Sequence, residues 1–533
     1  MSELAIHGGT PVRTEPYPSW PYHDDTERSN LLEVLDSQQW WSSQGTKVHE
    51  FERRWGALHG TGPAVAVTNG SHAIDLALLA TGIGQGDEVI VPSWTFVATA
   101  AAVLMVNAIP VLVDVELGTG CIDPDAVEAA ITSRTRAVIA VHIAGHPADM
   151  DRLTDICTRH DLVLIEDCAH AHGSMFNGQM VGTFGAAGSY SFQASKLMTG
   201  GEGGALVSTD PEVRARAMSY SDCGRRPGEW FYSHYALGGN YRMTEWQGAV
   251  LLAQLDRFEE QQQRRDAHSA LLNSELTTIA GVYPQTRDPR CDRQGNYCYV
   301  VRIDPDEFGA EREPVRLALA AEGISLTMSY PPVHQLDVFR DPDGFAPRHR
   351  DRSGMQDWAS LSLPVTEQLA ATTLWFTTSV LMGTKDDALD VVRAVERQKV
   401  VREVVRGVGE GQSGGLGRVR VGLHRAGLGR DGPEGGVEGG AVAGRGRIRG
   451  RSVGREHGGG GCGSASEAGG RGVQIRLDGR PGGVVPNYGA RAAAPAGSPA
   501  RRTRFALRPP RRRRISSEPT APPPGEPAGR ART

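Results

Sequence analysis

Between residues 60 and 210, short apolar runs alternate with stretches in which apolar and polar positions recur at helical spacing. The runs at 64–67, 88–91, 111–115, 137–141, 162–165 and 204–208 are rich in Val, Ile, Leu and Ala and carry few charges. Runs of that length and composition predict strands buried on both faces. Segments 71–80 and 150–159, lying between them, read as helices. Strands that alternate with helices imply an α/β layer around a mainly parallel sheet. Residues 247–265 read as one long amphipathic helix. From 270 to 400 a second α/β unit is expected, with a strand at 297–303, a helix at 314–322 and a final helix at 385–402. The chain therefore divides into a large domain with an N-terminal arm (1–265), a smaller C-terminal domain (266–402) and a tail (403–533).

Composition sets the tail apart. Residues 401–533 hold 25 arginines, no lysine, ten acidic residues and 33 of the 67 glycines. They carry a net charge of +15, whereas the whole chain carries −5. The segment lacks the apolar density to build a core and is expected to be disordered. Two origins compete. A basic arm could touch nucleic acid. A high-GC gene read out of frame would also give Gly, Arg, Ala and Pro without lysine, and this second origin fits the bias better. The seven cysteines show no metal-binding spacing and no signal peptide precedes them, so free thiols in a reducing cytoplasm are expected. The apolar stretch 97–113 contains Asn107 and Pro110 and is short for a bilayer span.

Three segments carry chemistry. Thr68-Asn69-Gly70-Ser71 follows a strand and opens a helix, a place where free N–H groups bind anions. Taken alone it is also an ordinary helix cap. In Leu164-Ile165-Glu166-Asp167, two carboxylates end a buried strand, where α/β sheets face their ligand crevice. Side chains alternate along a strand, so the two carboxylates point to opposite faces and only one faces the crevice. A protonated ring nitrogen could pair with it, and so could a nearby arginine. Lys196 lies between the strand-like run 189–192 and a glycine cluster at 200–204. A lone lysine before glycines is ordinarily a solvated turn. Together with an anion-binding helix start and a buried carboxylate, in this chain order, it becomes the Schiff-base lysine of a pyridoxal 5′-phosphate (PLP) site. No metal site is expected.

The chain resembles the DegT/StrS family of PLP-dependent aminotransferases, which serve antibiotic and sugar biosynthesis. The resemblance rests on GGTPVR (8–13), VTNGSHAIDLAL (67–78), GDEVIVPSWTFVAT (86–99), VHIAGHPADMD (141–151), LIEDCAHAHG (164–173), SFQASKLMTGGEGG (191–204) and GGNYRMTEWQGAVL (238–251). It covers residues 6 to 400, and family members generally end near where the tail begins. It implies PLP-dependent transferase fold type I, with a mostly parallel large-domain sheet and a smaller C-terminal α/β domain, in a cytoplasmic homodimer. Carried over by motif, Lys196 would bind the cofactor covalently and move protons. Asp167 would pair with the pyridinium nitrogen, His170 would lie near the phenolic oxygen, and Phe96 would stack on the ring. Gly70, Ser71 and Ser191 would hold the phosphate, and Asn240 would reach the phosphate of the neighbouring subunit in a shared active site. Glutamine or glutamate would be the amino donor.

Two subgroups compete for the acceptor. Segment 18–45 and the Lys196 motif resemble 3-amino-5-hydroxybenzoate synthases, which aromatise a cyclic keto acid. GGTPVR, NAIPVLVDV and LIEDCAHAHG resemble the cyclitol aminotransferases, which act on inosose-type ketones with glutamine. A cyclic polyhydroxy ketone, cyclitol or sugar, is the preferred expectation, and the aromatising synthase is the alternative. MSYPPVHQLDVF (328–339) is expected at the acceptor site, which nominates Tyr330 and His334. A reading of a different class, a PLP-fold regulator that binds DNA, rests on the basic tail alone. That tail has neither a helix-turn-helix pattern nor aromatic interleaving, so nucleic acid is not an expected partner.

Overall fold

The computed structural model describes residues 3–341 and 354–410, with side chains up to residue 400. The tail from 411 onward, and with it the disorder and out-of-frame expectations, lies outside the described residues. Seven strands form the main sheet: β1 (Val65–Val67), β2 (Glu88–Pro92), β3 (Ile109–Val113), β4 (Thr135–Val141), β5 (Val163–Asp167), β6 (Ala187–Ser191) and β7 (Gly204–Val207). Their order is β1-β7-β6-β5-β4-β2-β3. Strand β7 runs antiparallel to both neighbours, and the other pairings are parallel. The expected layer is thus present. Nearly every residue of β1 to β7 is buried, as runs without polar alternation require.

Topology then fixes where a ligand can bind. After β3 the chain returns to the other side of β2, so the strand order reverses between β2 and β4. Crevices at the carboxyl ends of strands flanking such a reversal are the binding places of open α/β sheets.

A second sheet is built wholly from residues beyond 280. Strands β8 (Val282–Pro284), β9 (Cys298–Ile303), β10 (Leu326–Thr327) and β11 (Thr373–Thr377) pair antiparallel in the order β8-β9-β11-β10. Helices Arg312–Ala321 and Lys385–Glu410 belong to this part of the chain. The second runs past its expected end at 402, so residues 403–410, assigned to the disordered tail, are helical, the valines at 404, 405 and 408 carrying the apolar spacing on. The start of the N-terminal arm is tied here as well. The buried Glu322 carboxylate accepts hydrogen bonds from Ala5 N (2.9 Å), Val12 N (3.0 Å) and Arg397 Nη1 (2.9 Å).

The expected single helix at 247–265 is two helices, Glu245–Asp256 and Phe258–Leu276. Arg257, with φ −104° and ψ 0°, ends the first and opens the second. Its guanidinium is held by the Glu27 carboxylate from the first long helix, Asp25–Ser37 (Nη2–Oε2 2.6 Å). Apolar periodicity continues through such a break, so the pattern alone does not reveal it. The six cysteines among the described residues are unpaired. No helix among these residues is long and apolar enough to cross a membrane.

Candidate active site

A cavity of about 680 Å³ opens at the carboxyl ends of the strands around the reversal. Asn69, Gly70 and Ser71 reach it from the end of β1, Thr95, Phe96 and Thr99 from beyond β2, Asp167 from β5, and Ser189 and Ser191 from β6. Lys196 enters from the loop after β6, and Tyr297 and Tyr330 from the second sheet's part of the chain. Seven of the residues nominated from sequence therefore converge: Gly70, Ser71, Phe96, Asp167, His170, Ser191 and Lys196. Tyr330 joins them.

The helix Gly70–Ala80 points its N-terminus into this cavity. Asn69 caps it, its side chain accepting from His72 N at 2.9 Å. That leaves the amides of Gly70 and Ser71, which have no intrahelical acceptor, for an anion. Close packing makes glycine necessary at 70, since a Cβ there would sit 2.6 Å from the Ser191 Cβ. The Ser191 hydroxyl accepts from Gln193 N at 3.4 Å, which leaves its own proton to donate. Backbone amides, two hydroxyls and the helix dipole together suit a phosphate.

The two carboxylates that end β5 part company as strand alternation predicts. Glu166 is fully buried on the face away from the cavity and accepts four N–H groups: His142 Nε2 (3.1 Å), Gly182 N (2.6 Å), Phe184 N (2.8 Å) and Gly185 N (2.8 Å). It is a structural anion with its lone pairs occupied. Cys168, His142 and Glu166 lie close enough to suggest a metal cluster. Yet His142 Nδ1 accepts from Ala148 N at 3.0 Å and Glu166 is saturated, so those donor atoms are already committed. Asp167 faces the cavity. Thr99 Oγ1 donates to its Oδ2 at 2.8 Å and Ala169 N to its Oδ1 at 3.1 Å, which fixes the carboxylate plane.

Lys196 is drawn down from the ordinary lysine range to about 8, chiefly by burial, with Asp167 acting in the opposite direction. Its ammonium nitrogen lies 4.6 Å from the centre of the Tyr297 ring, and its carbonyl accepts from Trp20 Nε1 at 3.1 Å. A lysine so tuned can serve as a nucleophile and as a proton carrier near neutral pH. His170 stacks on Tyr297 with ring centres 4.0 Å apart. Burial, and then the charge of Lys196, press its pKa well below the usual histidine value, so it is neutral.

His334 is not at the cavity. It is buried, with Nδ1 bonded to Ser93 Oγ (2.8 Å) and Nε2 to Glu367 Oε1 (3.2 Å). Its work is to lock the loop after β2 to the helix Pro364–Thr372, so the expectation that it meets the acceptor is not met. Asn240 lies outside this chain's cavity, exposed, in an isolated bridge to Asp222. Sequence reasoning missed Thr99, His72 and Tyr297. Thr99, three residues beyond Phe96 at the start of a helix, was within reach of a spacing argument. Tyr297, 101 residues beyond Lys196 and just before a strand of the other sheet, was not.

An anion-binding helix start, a fixed carboxylate and a tuned lysine at the switch point of such a sheet suit amine–carbonyl chemistry on an anionic cofactor. The profile of the DegT/DnrJ/EryC1/StrS aminotransferase family matches residues 21–396, and the chain belongs to that family. It is 42% identical over 412 residues to a Streptoalloteichus tenebrarius protein assigned as an L-glutamine:3-amino-2,3-dideoxy-scyllo-inosose aminotransferase, covering 74% of this chain and 97% of that one. With the L-glutamine:2-deoxy-scyllo-inosose aminotransferase of Micromonospora echinospora it shares 38% identity, over 76% of this chain and 100% of the other. Among solved structures, 3-amino-5-hydroxybenzoic acid synthase superposes with a TM-score of 0.66 at 36% identity, over 73% of this chain and 100% of that one.

Proposed function

We propose that this aminotransferase uses PLP to move the amino group of glutamine or glutamate onto a cyclic polyhydroxy ketone, a cyclitol or sugar, in secondary-metabolite biosynthesis. The observation that carries the reading is the convergence of Lys196, Asp167 and the Gly70–Ser71 helix start on one cavity. Those residues fit PLP: the tight Gly70–Ser191 contact leaves a cradle for the phosphate, and Asp167 supplies an anion for the ring nitrogen. When bound, PLP supplies a carbonyl that takes up the amino group and a ring that accepts the electron pair released at the donor's α-carbon. The chain's own residues do the rest. The Gly70 and Ser71 amides and the Ser191 hydroxyl would hold the phosphate, Phe96 would line the ring's place and Asp167 would pair with the ring nitrogen. Lys196 Nζ, once neutral, takes the proton from the donor's α-carbon and returns one in the reverse sense to the acceptor's carbon.

Support for the acceptor class comes from the inosose aminotransferases, whose names specify glutamine and a cyclic polyol ketone. A 3-amino-5-hydroxybenzoate synthase is the alternative, supported by the similarity to that solved structure. Purified protein loaded with PLP and supplied with glutamine is expected to aminate inosose-type ketones, as read by mass spectrometry. Aromatisation of a carboxylated cyclic ketone, with no amination of any cyclic polyol ketone, would replace this reading by the alternative.

The proposal includes a cytoplasmic homodimer with a shared site, a cofactor-binding domain over 1–265 and a small domain over 266–402. Trp230, Tyr232 and Leu237 are 71%, 66% and 98% exposed, an apolar density on one loop that marks interaction surfaces. Asn240 follows directly and reaches the partner's phosphate. Mixing Lys196→Ala with Asn240→Ala subunits is then expected to restore activity through one intact hybrid site. No recovery despite demonstrated subunit exchange would remove Asn240 from that role.

A further inference from the structure

Two consecutive hydrogen bonds run from a strained backbone turn to the cavity wall, and their polarity is determined by the first. Ala144 adopts φ 56°, in the left-handed region that non-glycine residues seldom occupy. The turn aims its backbone N–H at His170 Nδ1, 3.3 Å away. A backbone N–H can only donate, so Nδ1 must offer its lone pair. The buried ring is neutral, and its one proton is therefore on Nε2. Nε2 lies 3.1 Å from the Tyr330 hydroxyl and donates to that oxygen. The tyrosine's own proton cannot point back at His170, and no other acceptor for it is found among the described residues. It is directed into the cavity that Tyr330 lines.

The ring of Tyr330 is held in place for this. It packs on Trp375 with centres 4.9 Å apart and on Phe96 at 5.8 Å, and its backbone oxygen accepts from Trp94 Nε1 at 3.2 Å. Burial pushes the phenol well above its ordinary pKa, so the hydroxyl keeps its proton throughout the working range. A fixed, protonated hydroxyl facing a reaction site is suited to stabilising negative charge as it develops on oxygen.

We propose that Tyr330 donates a hydrogen bond to the carbonyl oxygen of the keto acceptor, and that Ala144 and His170 are positioning residues that force the tyrosine proton to face it. The hydrogen bond polarises the carbonyl as the incoming amine attacks, and Tyr330 undergoes no net change in protonation. The donor's reacting carbon becomes a carbonyl as the 2-oxo acid product leaves, the reverse of the acceptor step, so Tyr330 acts in both halves of the cycle. The proposal rests on the reading that a ketone is the acceptor.

The test has two arms. In the first, protein loaded with PLP is mixed with glutamine, protein loaded with pyridoxamine phosphate is mixed with an inosose-type ketone, and each half-reaction is followed separately by absorbance. Tyr330→Phe is expected to slow both half-reactions by about 10- to 100-fold while cofactor loading stays as in the parent. No slowing, or slowing matched by an equal loss of cofactor loading, the effect of a merely structural change, would overturn the proposal. In the second arm, the ¹⁵N NMR spectrum of cofactor-free protein reads the His170 tautomer directly. A bare Nδ1 and a protonated Nε2 are expected, and a proton on Nδ1 would overturn the relay whatever the kinetics show. If the parent accepts glutamine but no ketone, the acceptor reading fails with this proposal. If it aminates the ketone and neither half is slowed in Tyr330→Phe, only the proposal fails.

Discussion

Replacing Lys196 with alanine is expected to cut turnover by about 10²–10⁴-fold, the range of a well-placed general acid–base group. Borohydride treatment of the PLP-loaded parent should fix the cofactor to the peptide containing Lys196, and the variant should yield no such peptide. The amine's titration gives the prediction a pH signature. Only the neutral amine attacks a carbonyl, and the pKa is drawn down to about 8 by burial. The rate of cofactor loading should therefore rise with pH through about 8 and level off above it. A rate still climbing beyond about pH 10, as for an unperturbed lysine, would show that burial does not tune this group. A variant within tenfold of the parent's turnover would remove Lys196 from the chemistry altogether.

The second large effect is expected at Asp167→Asn. Asparagine keeps the shape and can still accept from Thr99 Oγ1, but it brings no charge to the ring nitrogen. Leaving one partner of a buried ion pair uncompensated costs about 3–5 kcal/mol, which is about 10²–10⁴-fold in rate if felt in the transition state. Steady-state kinetics at saturating PLP read it. If saturation with PLP restored full turnover, Asp167 would serve only to bind, and its electronic role would be refuted. Glu166, its neighbour on β5, has its four N–H donors and faces away from the cavity. It offers the control in which fold stability changes and cofactor electronics do not.

How much of this was legible beforehand depends on the kind of residue. Lys196, Asp167, Gly70 and Ser71 stand in local contexts whose chemistry is readable: a lysine before glycines, a carboxylate at a strand's end, a capped helix start. Strand alternation even implied that Glu166 and Asp167 would separate. It could not say which would face the cavity, because that depends on which face the loop 182–185 covers. Four residues were nominated for a site through longer segments, and the structure divides them. Tyr330 and Phe96 meet 5.8 Å apart, whereas His334 turns inward to Ser93 and Asn240 stays outside.

The sequence by itself determined the α/β layer, the chain order of the chemical groups and the family, because apolar runs, caps and motifs act over a few residues and survive without their neighbours. Tertiary structure alone decided the break at Arg257, the burial of His334 and the line from Ala144 through His170 to Tyr330. Each of these depends on groups far apart in the chain: Glu27 with Arg257, Ser93 and Glu367 with His334, His170 with Tyr330 across 160 positions. No local pattern encodes such pairs. They exist only because the folded chain brings distant helices and loops to the same place.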